Sequence, residues 1–503
     1  MFISFLIPSV FEHTRARHLL VFYKQLGAFA RDEMAFVGEP DYFRSPAELQ
    51  AEGRPEWNAS WRDAYEYEPP VSLDDVQYRA LPGNLFATRL RRVQSSWKLY
   101  GQMVTRRLPE LEAAFSAAVE SLTHRGPIQG LMAFANNPSV SFVARRRGLP
   151  VVHTEFGPLR KPAYVMTGYW DLRGVSRGTD AVRRFRNFRR AATRGRVPLL
   201  SREELLHTLR RLPLPDAPGA ADAPFRLGVA LQGEDNAHVQ GINALDVLSV
   251  ARQRFHRDEI LVRYHPGGLS RYSDTLGVTD TSADSTAFIQ KCETILTVNS
   301  GTALEAMLLG RRAVVLGDSP FRIAADRSFD TATRLDDAQQ LLALNFLVFG
   351  YIVPAALMFD PDYTRWRLSH PSELEIYRHH QRWYRAQLMQ CEPPDEPALA
   401  LSTAAKLLNA VPRGDGPARA VIFGAGQTTP ALVDRLRPER FSLLGLFDND
   451  RAKWGAQVAG LTISPPAYRD DTTVVVSSLT HADAIVGQLH MLGYPSERIL
   501  RLR

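Results

Sequence analysis

At 503 residues the chain is too long for one ordinary hydrophobic core, and roughly two to four domains are expected. With 45% hydrophobic and 23% charged residues it belongs among folded globular proteins, which excludes disordered and collagen-like classes. Its two cysteines, Cys292 and Cys391, lack nearby ligand partners, so no disulfide framework or zinc site is expected and a reducing compartment fits; the net charge of +7 suits an anionic partner, whether nucleotide, phospholipid, acidic sugar or membrane surface.

The opening MFISFLIPSV has neither a basic stretch ahead of its apolar run nor a small-residue cleavage site, and reads as a first strand, not a secretory signal. Strand-like runs then alternate with helical patterns, which predicts α/β units with largely parallel sheets. GLMAFAN (130–136), PSVSFVARRRG and LPVVHTE form a βαβ signature that ends at His153, Glu155 and Gly157, with Arg160 and Lys161 just beyond. Residues 173–211 hold twelve arginines against Asp180, Glu203 and Glu204. Such a run reads either as a solvated helix face or as a surface for anionic phospholipid; without an aromatic-interleaved RNA motif or a zinc finger, no nucleic-acid partner is expected.

The Pro- and Ala-rich LPLPDAPGAADAP (212–224) is a linker. A second α/β block follows, in which FRLGVALQ, EILVRYHP, TILTVNSG and RAVVLGD each run from a strand into a turn. After the first come Gln232, Gly233, Glu234, Asp235 and Asn236, carboxylates and amides beyond a strand's C-terminal end, where open α/β sheets bind ligands; Asp235 there is equally read as a helix cap. The second ends in Arg263 and His265, able to supply charge or a hydrogen bond, though a histidine in such a turn also satisfies backbone carbonyls. In the third, the strand is expected to end near Val298 and a helix to begin near Ala303. Unsatisfied N–H groups at that helix start favour an anion, Gly301 permits close approach, and Ser300 and Thr302 offer hydroxyls. The same hydroxyls could simply cap the helix, and Glu305, three residues past Thr302, completes a capping-box pattern.

Residues 331–410 read as helical. Within them the uncharged LLALNFLVFGYIVPAALMF (341–359), interrupted by Asn345, Gly350 and Pro354, is expected to be a buried or membrane-apposed helix in preference to a membrane span. After a break at VPRGDGPA, a last unit combines RAVIFGAGQTTPALVDRL with LLGLFDND. This is similar to a dinucleotide-binding fingerprint and to small Rossmann-like modules appended to other sugar-modifying proteins, but Thr429 stands where the third glycine belongs. An NAD or nucleotide site and a purely structural or partner-binding role are both open for it.

The succession EFGPLRKP, RGVS, LQGEDN, RYHP and NSGTALEAMLLGRRAVVLGD resembles the retaining β-Kdo glycosyltransferases of bacterial capsule and O-antigen assembly, two-lobed GT-B enzymes that use CMP-Kdo. Their pattern runs E-x-G-x-x-R-P, G-V-N, L-Q-x-x-x-D-S, K-P-H-P and S-x-x-G-x-E-A-L-x-x-G-K-x-V. The likeness covers residues 130–320 directly. It departs by an extra residue between Arg160 and Pro162, by Ser176 for Asn, by Asn236 for Ser, and by Arg263-Tyr264 for Lys-Pro, which keeps a charge at Arg263.

The resemblance implies an N-terminal, acceptor-side Rossmann-like lobe over 1–220, a CMP-sugar lobe over 221–330 and a helical tail over 331–412 packing back on the lobes; the C-terminal pattern separately predicts an appended Rossmann-like domain over 413–503. It implies Asp235 as the nucleophile of a double displacement and Glu155 as acid/base or acceptor-orienting carboxylate. His265 and Arg263 would meet the CMP phosphate or the Kdo carboxylate, Ser300, Gly301 and Thr302 the phosphate, and Glu305 the ribose. Gln232, Asn236, Arg160 and Lys161 would line the substrate side. No metal is expected, since these loops hold no D-x-D pair. The acceptor would be a lipid-linked glycan, met by a cytoplasmic protein at the inner-membrane face through residues 173–211 and 341–359. Transfer of another CMP- or UDP-activated sugar, a non-catalytic scaffold of polysaccharide assembly and, third, an oxidoreductase built on the C-terminal GAG are the rivals.

Overall fold

The computed structural model describes residues 1–8, 15–195, 197–212, 219, 222–232, 241–265, 276–330, 334–390, 417–425, 429–436, 441–477 and 482–501. Two compact units divide the chain, Met1–Trp57 with Ala64–Arg385, and Asn58–Asp63 with Ala386–Arg503.

The first unit is built on two sheets. One contains β1 (Phe2–Phe5), β2 (Met34–Gly38), β3 (Gln77–Ala80), β4 (Gly130–Phe134), β5 (Val151–Phe156), β6 (Thr167–Asp171) and the late-returning β12 (Ile352–Pro354), in the order β12-β6-β5-β4-β1-β2-β3. Its strands from β3 to β5 are parallel; β6 is antiparallel to β5, and β12 to β6. The opening run FISF becomes a central strand because both of its faces are covered. Ile3 and Phe5 point into one core, where Phe5 meets Phe115 edge-on at 5.5 Å, while Phe2 meets Phe29 on the other face at 5.9 Å. The second sheet, β11-β10-β7-β8-β9, is wholly parallel and comprises β7 (Phe225–Ala230), β8 (Ile260–Arg263), β9 (Val278–Thr279), β10 (Cys292–Thr297) and β11 (Arg312–Val315).

The uncharged stretch 341–359 is buried, one of the two expected placements, but it is not one continuous helix. Asp337–Asn345 is helical, Phe346–Tyr351 widens to a π-helical turn, and Ile352–Pro354 is the strand β12 at the edge of the first sheet. Leu344, Leu347, Val348 and Ile352 are fully buried, so the apolar character serves the core. Asn345, fully buried in that run, is satisfied on every side. Its Oδ1 accepts from Leu200 N and the Tyr377 hydroxyl, and its Nδ2 donates to the carbonyls of Leu200 and Leu341. Among the described residues no helix is long and apolar enough to cross a membrane.

The arginine-rich helix Ala181–Gly195 packs on this core through Ala181, Arg184, Phe188 and Ala192, spaced as one helical face. Arg184 is an internal lock: its guanidinium makes a fork to Glu373 at 2.9 Å and donates to the Gly350 carbonyl at 2.6 Å. Arg186, Arg189, Arg190 and Arg194 face outward, and none of the four joins an ion pair among the described residues.

The second unit holds β13 (Ala418–Phe423), β14 (Phe441–Phe447), β15 (Gln457–Val458), β16 (Leu461–Ser464), β17 (Thr473–Val476) and β18 (Ile499–Arg501) in the order β15-β16-β14-β13-β17-β18. All pairs are parallel except the β15–β16 hairpin. Helices Thr429–Leu436 and Ala482–Met491 complete it.

Candidate active site

The described polar residues singled out from the sequence stand at or beyond the C-terminal ends of β5, β7, β8 and β10, where the apolar runs meet Glu155, Gln232, Arg263 and Asn299. Beyond β10, Gly301 caps the helix Thr302–Leu308. A Cβ on Gly301 would lie 2.5 Å from the Pro158 Cβ and 2.9 Å from its Cα, so the glycine admits the turn after β5 against the turn after β10. Ser300 Oγ and Thr302 Oγ1 are 3.0 Å apart, and Ser300 Oγ also accepts from Thr302 N at 3.3 Å.

The capping box read from Thr302 and Glu305 is not formed. With Gly301 as the cap, Glu305 falls one position too late to reach back. Its carboxylate is buried, and Oε1 accepts from Tyr164 at 2.9 Å and from Thr286 at 2.8 Å. Arg210 donates to both of those hydroxyls, at 3.0 and 3.3 Å. Burial, then the neighbouring Glu305 charge, pushes the Tyr164 phenol above its ordinary pKa, so it stays a donor.

Glu155, at the end of β5, is partly buried and accepts from Ser176 Oγ at 3.1 Å. Ser176 itself sits at φ 62°, in the left-handed region that Asn tolerates better than most residues. His153 points into the core, with its ring nitrogens on the Ala135 carbonyl and Ser141 Oγ, and burial lowers its pKa. Arg160 donates to the Gly157 carbonyl, and Lys161 pairs with Glu66.

The ends of β7 and β10 are tied by a reciprocal amide pair: Gln232 Nε2 donates to Asn299 Oδ1 at 2.8 Å, and Asn299 N to Gln232 Oε1 at 3.1 Å. Asn299 Nδ2 reaches the Asp318 carbonyl at 3.4 Å, and Asp318 Oδ2 accepts from Gly178 N at 2.8 Å. Arg263 is held by Asp280 at 2.6 Å and by the Ser282 carbonyl, while His265 is exposed at the end of its strand. Asp235 and Asn236 lie outside the described residues. Among the described residues no three His, Cys, Asp or Glu side chains are grouped to hold a metal ion.

The structure thus brings together Glu155 with Ser176, Gln232 with Asn299, the Ser300–Thr302 turn with Pro158, and Glu305 with Tyr164. Arg263 and Lys161 turn to carboxylates of their own. Sequence reasoning missed Tyr164, Asn299 and Asp318 as members; Asn299 and Asp318 carry the same strand-end signal that marked their neighbours.

Residues 4–180 match the model of the glycosyltransferase 99 family N-terminal domain. No curated protein matches the sequence. Among solved structures the chain is similar to the beta Kdo 2,7 transferase of Thermosulfurimonas dismutans KpsC, at 16% identity over 47% of this chain and 82% of that one, with a TM-score of 0.32. Its beta Kdo 2,4 transferase matches at 14% identity over 48% and 87%, with a TM-score of 0.31. The UDP complex of Os79 from O. sativa matches at 10% identity over 76% and 100%, with a TM-score of 0.27. The family likeness thus lies in the first 180 residues, whose sheet carries Glu155 near the end of β5.

Proposed function

We propose that this protein is a glycosyltransferase that moves Kdo from CMP-Kdo, with retention, onto a lipid-linked polysaccharide acceptor. The observation that carries the reading is the order EFGP, RGVS, LQGEDN, RYHP and NSGT, whose described members follow or end β5, β6, β7, β8 and β10 of two sheets in one compact unit. In this scheme the Asp235 carboxylate attacks the anomeric carbon of Kdo as the bond to CMP breaks, and CMP carries off the electron pair. Glu155, oriented through Ser176, then takes the proton of the acceptor hydroxyl as that oxygen displaces Asp235, and the second inversion restores the configuration. Arg263 and His265 answer the leaving phosphate or the Kdo carboxylate, and the Ser300 and Thr302 hydroxyls the phosphate oxygens. Glu305 keeps Oε1 on Tyr164 and Thr286 and offers Oε2 to the ribose, while Gln232, Asn236, Arg160 and Lys161 contact the sugars.

Incubation with CMP-Kdo and a panel of lipid-linked acceptors, with product masses read out, tests the reading. Asp235→Asn should abolish transfer while CMP, and not UDP, still raises the melting temperature; a ligand at about 100 times its Kd adds about 2.7 kcal/mol. Full transfer by the variant would remove the nucleophile from the scheme, and stabilisation by UDP alone would replace the donor.

The acceptor's location is addressed by the helix Ala181–Gly195. We place its outward Arg186, Arg189, Arg190 and Arg194 against an anionic inner-membrane face, with the protein cytoplasmic and peripheral; residues 341–359, being core, take no part. Replacing the four by Gln should release the protein from phosphatidylglycerol vesicles, and unchanged vesicle recovery would refute the placement.

A further inference from the structure

The second unit has a site of its own. Its parallel strands β16, β14, β13, β17 and β18, numbered by order of appearance, run 3-2-1-4-5, the arrangement in which open α/β sheets take nucleotides at the carboxyl edge of the central strands. At that edge Gly424 follows β13 with φ +111°, a conformation open to glycine, and its carbonyl is fixed by Thr429 Oγ1 at 2.8 Å and Ser477 Oγ at 3.0 Å.

One strand over, Asp448 follows β14. Its Oδ2 accepts from Ala425 N at 2.9 Å and Lys453 Nζ at 3.1 Å, and its Oδ1 from Asp450 N at 2.8 Å. A carboxylate offers about four lone-pair sites, so one remains on Oδ1 for a hydroxyl donor. Burial would raise its pKa, but the two N–H groups and the ammonium hold it below the ordinary range, ionised and acceptor-only.

Beside it the indole of Trp454 is 37% exposed yet pinned, since Nε1 donates to the Asp448 carbonyl at 2.8 Å. The Arg451 guanidinium lies over that ring at 5.7 Å. An aromatic face fixed next to an ionised carboxylate and two cations has the features of a nucleotide site: stacking surface, ribose acceptor and phosphate charge.

We propose that this edge binds a nucleoside diphosphate, with a ribose hydroxyl on Asp448 Oδ1, the base on Trp454, and the phosphates facing Lys453 and Arg451. A dinucleotide fits less well. The third glycine of that fingerprint lets helix and strand close together, and here a fully buried Thr429 side chain fills the space. The inference is independent of the sugar donor assigned to the first unit.

The test is ADP and UDP binding to the full chain, followed by tryptophan fluorescence and calorimetry, with NAD⁺ as the dinucleotide arm. One equivalent of ADP or UDP should bind and quench Trp454, more tightly than NAD⁺. Trp454→Leu and Lys453→Met, each compared with the wild type at matched folded fraction by thermal unfolding, should each weaken binding by roughly tenfold, the scale of one base stacked on an aromatic ring. Glycosyl transfer should be unchanged in both. Absence of binding at millimolar ADP and UDP, affinities indifferent to the two substitutions, or a clear preference for NAD⁺ would each overturn the proposal; binding that survives in the double variant would assign the nucleotide to the first unit.

Discussion

Two turns of this chain read alike, NSGT after β10 and FGAG after β13, each a strand meeting a glycine ahead of a helix, yet they use glycine for different reasons. Gly301 has φ −58°, which any residue adopts, and needs to be small because Pro158 stands where its Cβ would be. Gly424 instead takes a φ of +111°, in the region that favours glycine. The first turn is shaped by packing against another sheet's turn, the second by local backbone geometry. A glycine ahead of a helix therefore announces a constraint without saying which one.

The polar residue that follows the first turn offers the strongest way to break the contrast. Glu305→Ala should cost about 3 kcal/mol or more in urea unfolding, because it leaves the Tyr164 and Thr286 hydroxyls buried without their shared acceptor. If the loss stays under about 1 kcal/mol, packing at that turn does not depend on the buried network.

Glu56 is the control, fully buried in the same unit with no hydrogen-bond partner on either oxygen. Burial, which leads, pushes its carboxyl up to about 7 from 4.5. The folded chain thus keeps a proton that the unfolded chain releases near pH 4.5. Its contribution is fully present below that pH and is lost as pH rises through about 7. Glu56→Gln should therefore gain on the wild type by about 2–3 kcal/mol between pH 4.5 and 8, read as the difference between two unfolding series; parallel series would show that the carboxyl is not held neutral.

Gly301→Ala should cost about 2 kcal/mol through overpacking against Pro158, and transfer activity should fall with it. Gly424→Ala should cost about 1–2 kcal/mol from left-handed strain, and Gly424→Asn less, since Asn tolerates positive φ. Equal costs for Ala and Asn at position 424 would mean that side-chain volume, not φ, sets the penalty and would collapse the distinction between the turns.

The parallel strands and the turns that end them were legible because each apolar run stops at residues that cannot stay buried. Helix starts were legible only to within a residue, and for Glu305 that residue decides between a cap and a buried contact. The stretch 341–359 misled because an uncharged run has no polar face to reveal its period, and β12 exists only through pairing with β6, far away in sequence. Tyr164 was invisible for the same reason. Its partner, Glu305, lies 141 residues away, and no local pattern records such a meeting.

The buried fork between Arg184 and Glu373 carries a consequence for orientation. A helix rolled by one residue, about 100°, would tear that fork apart and turn a solvated arginine toward the core. The outward arginines are thus fixed in azimuth by their one inward sibling. Any negatively charged plane that meets them sets the tilt of the β5 end as well as its height.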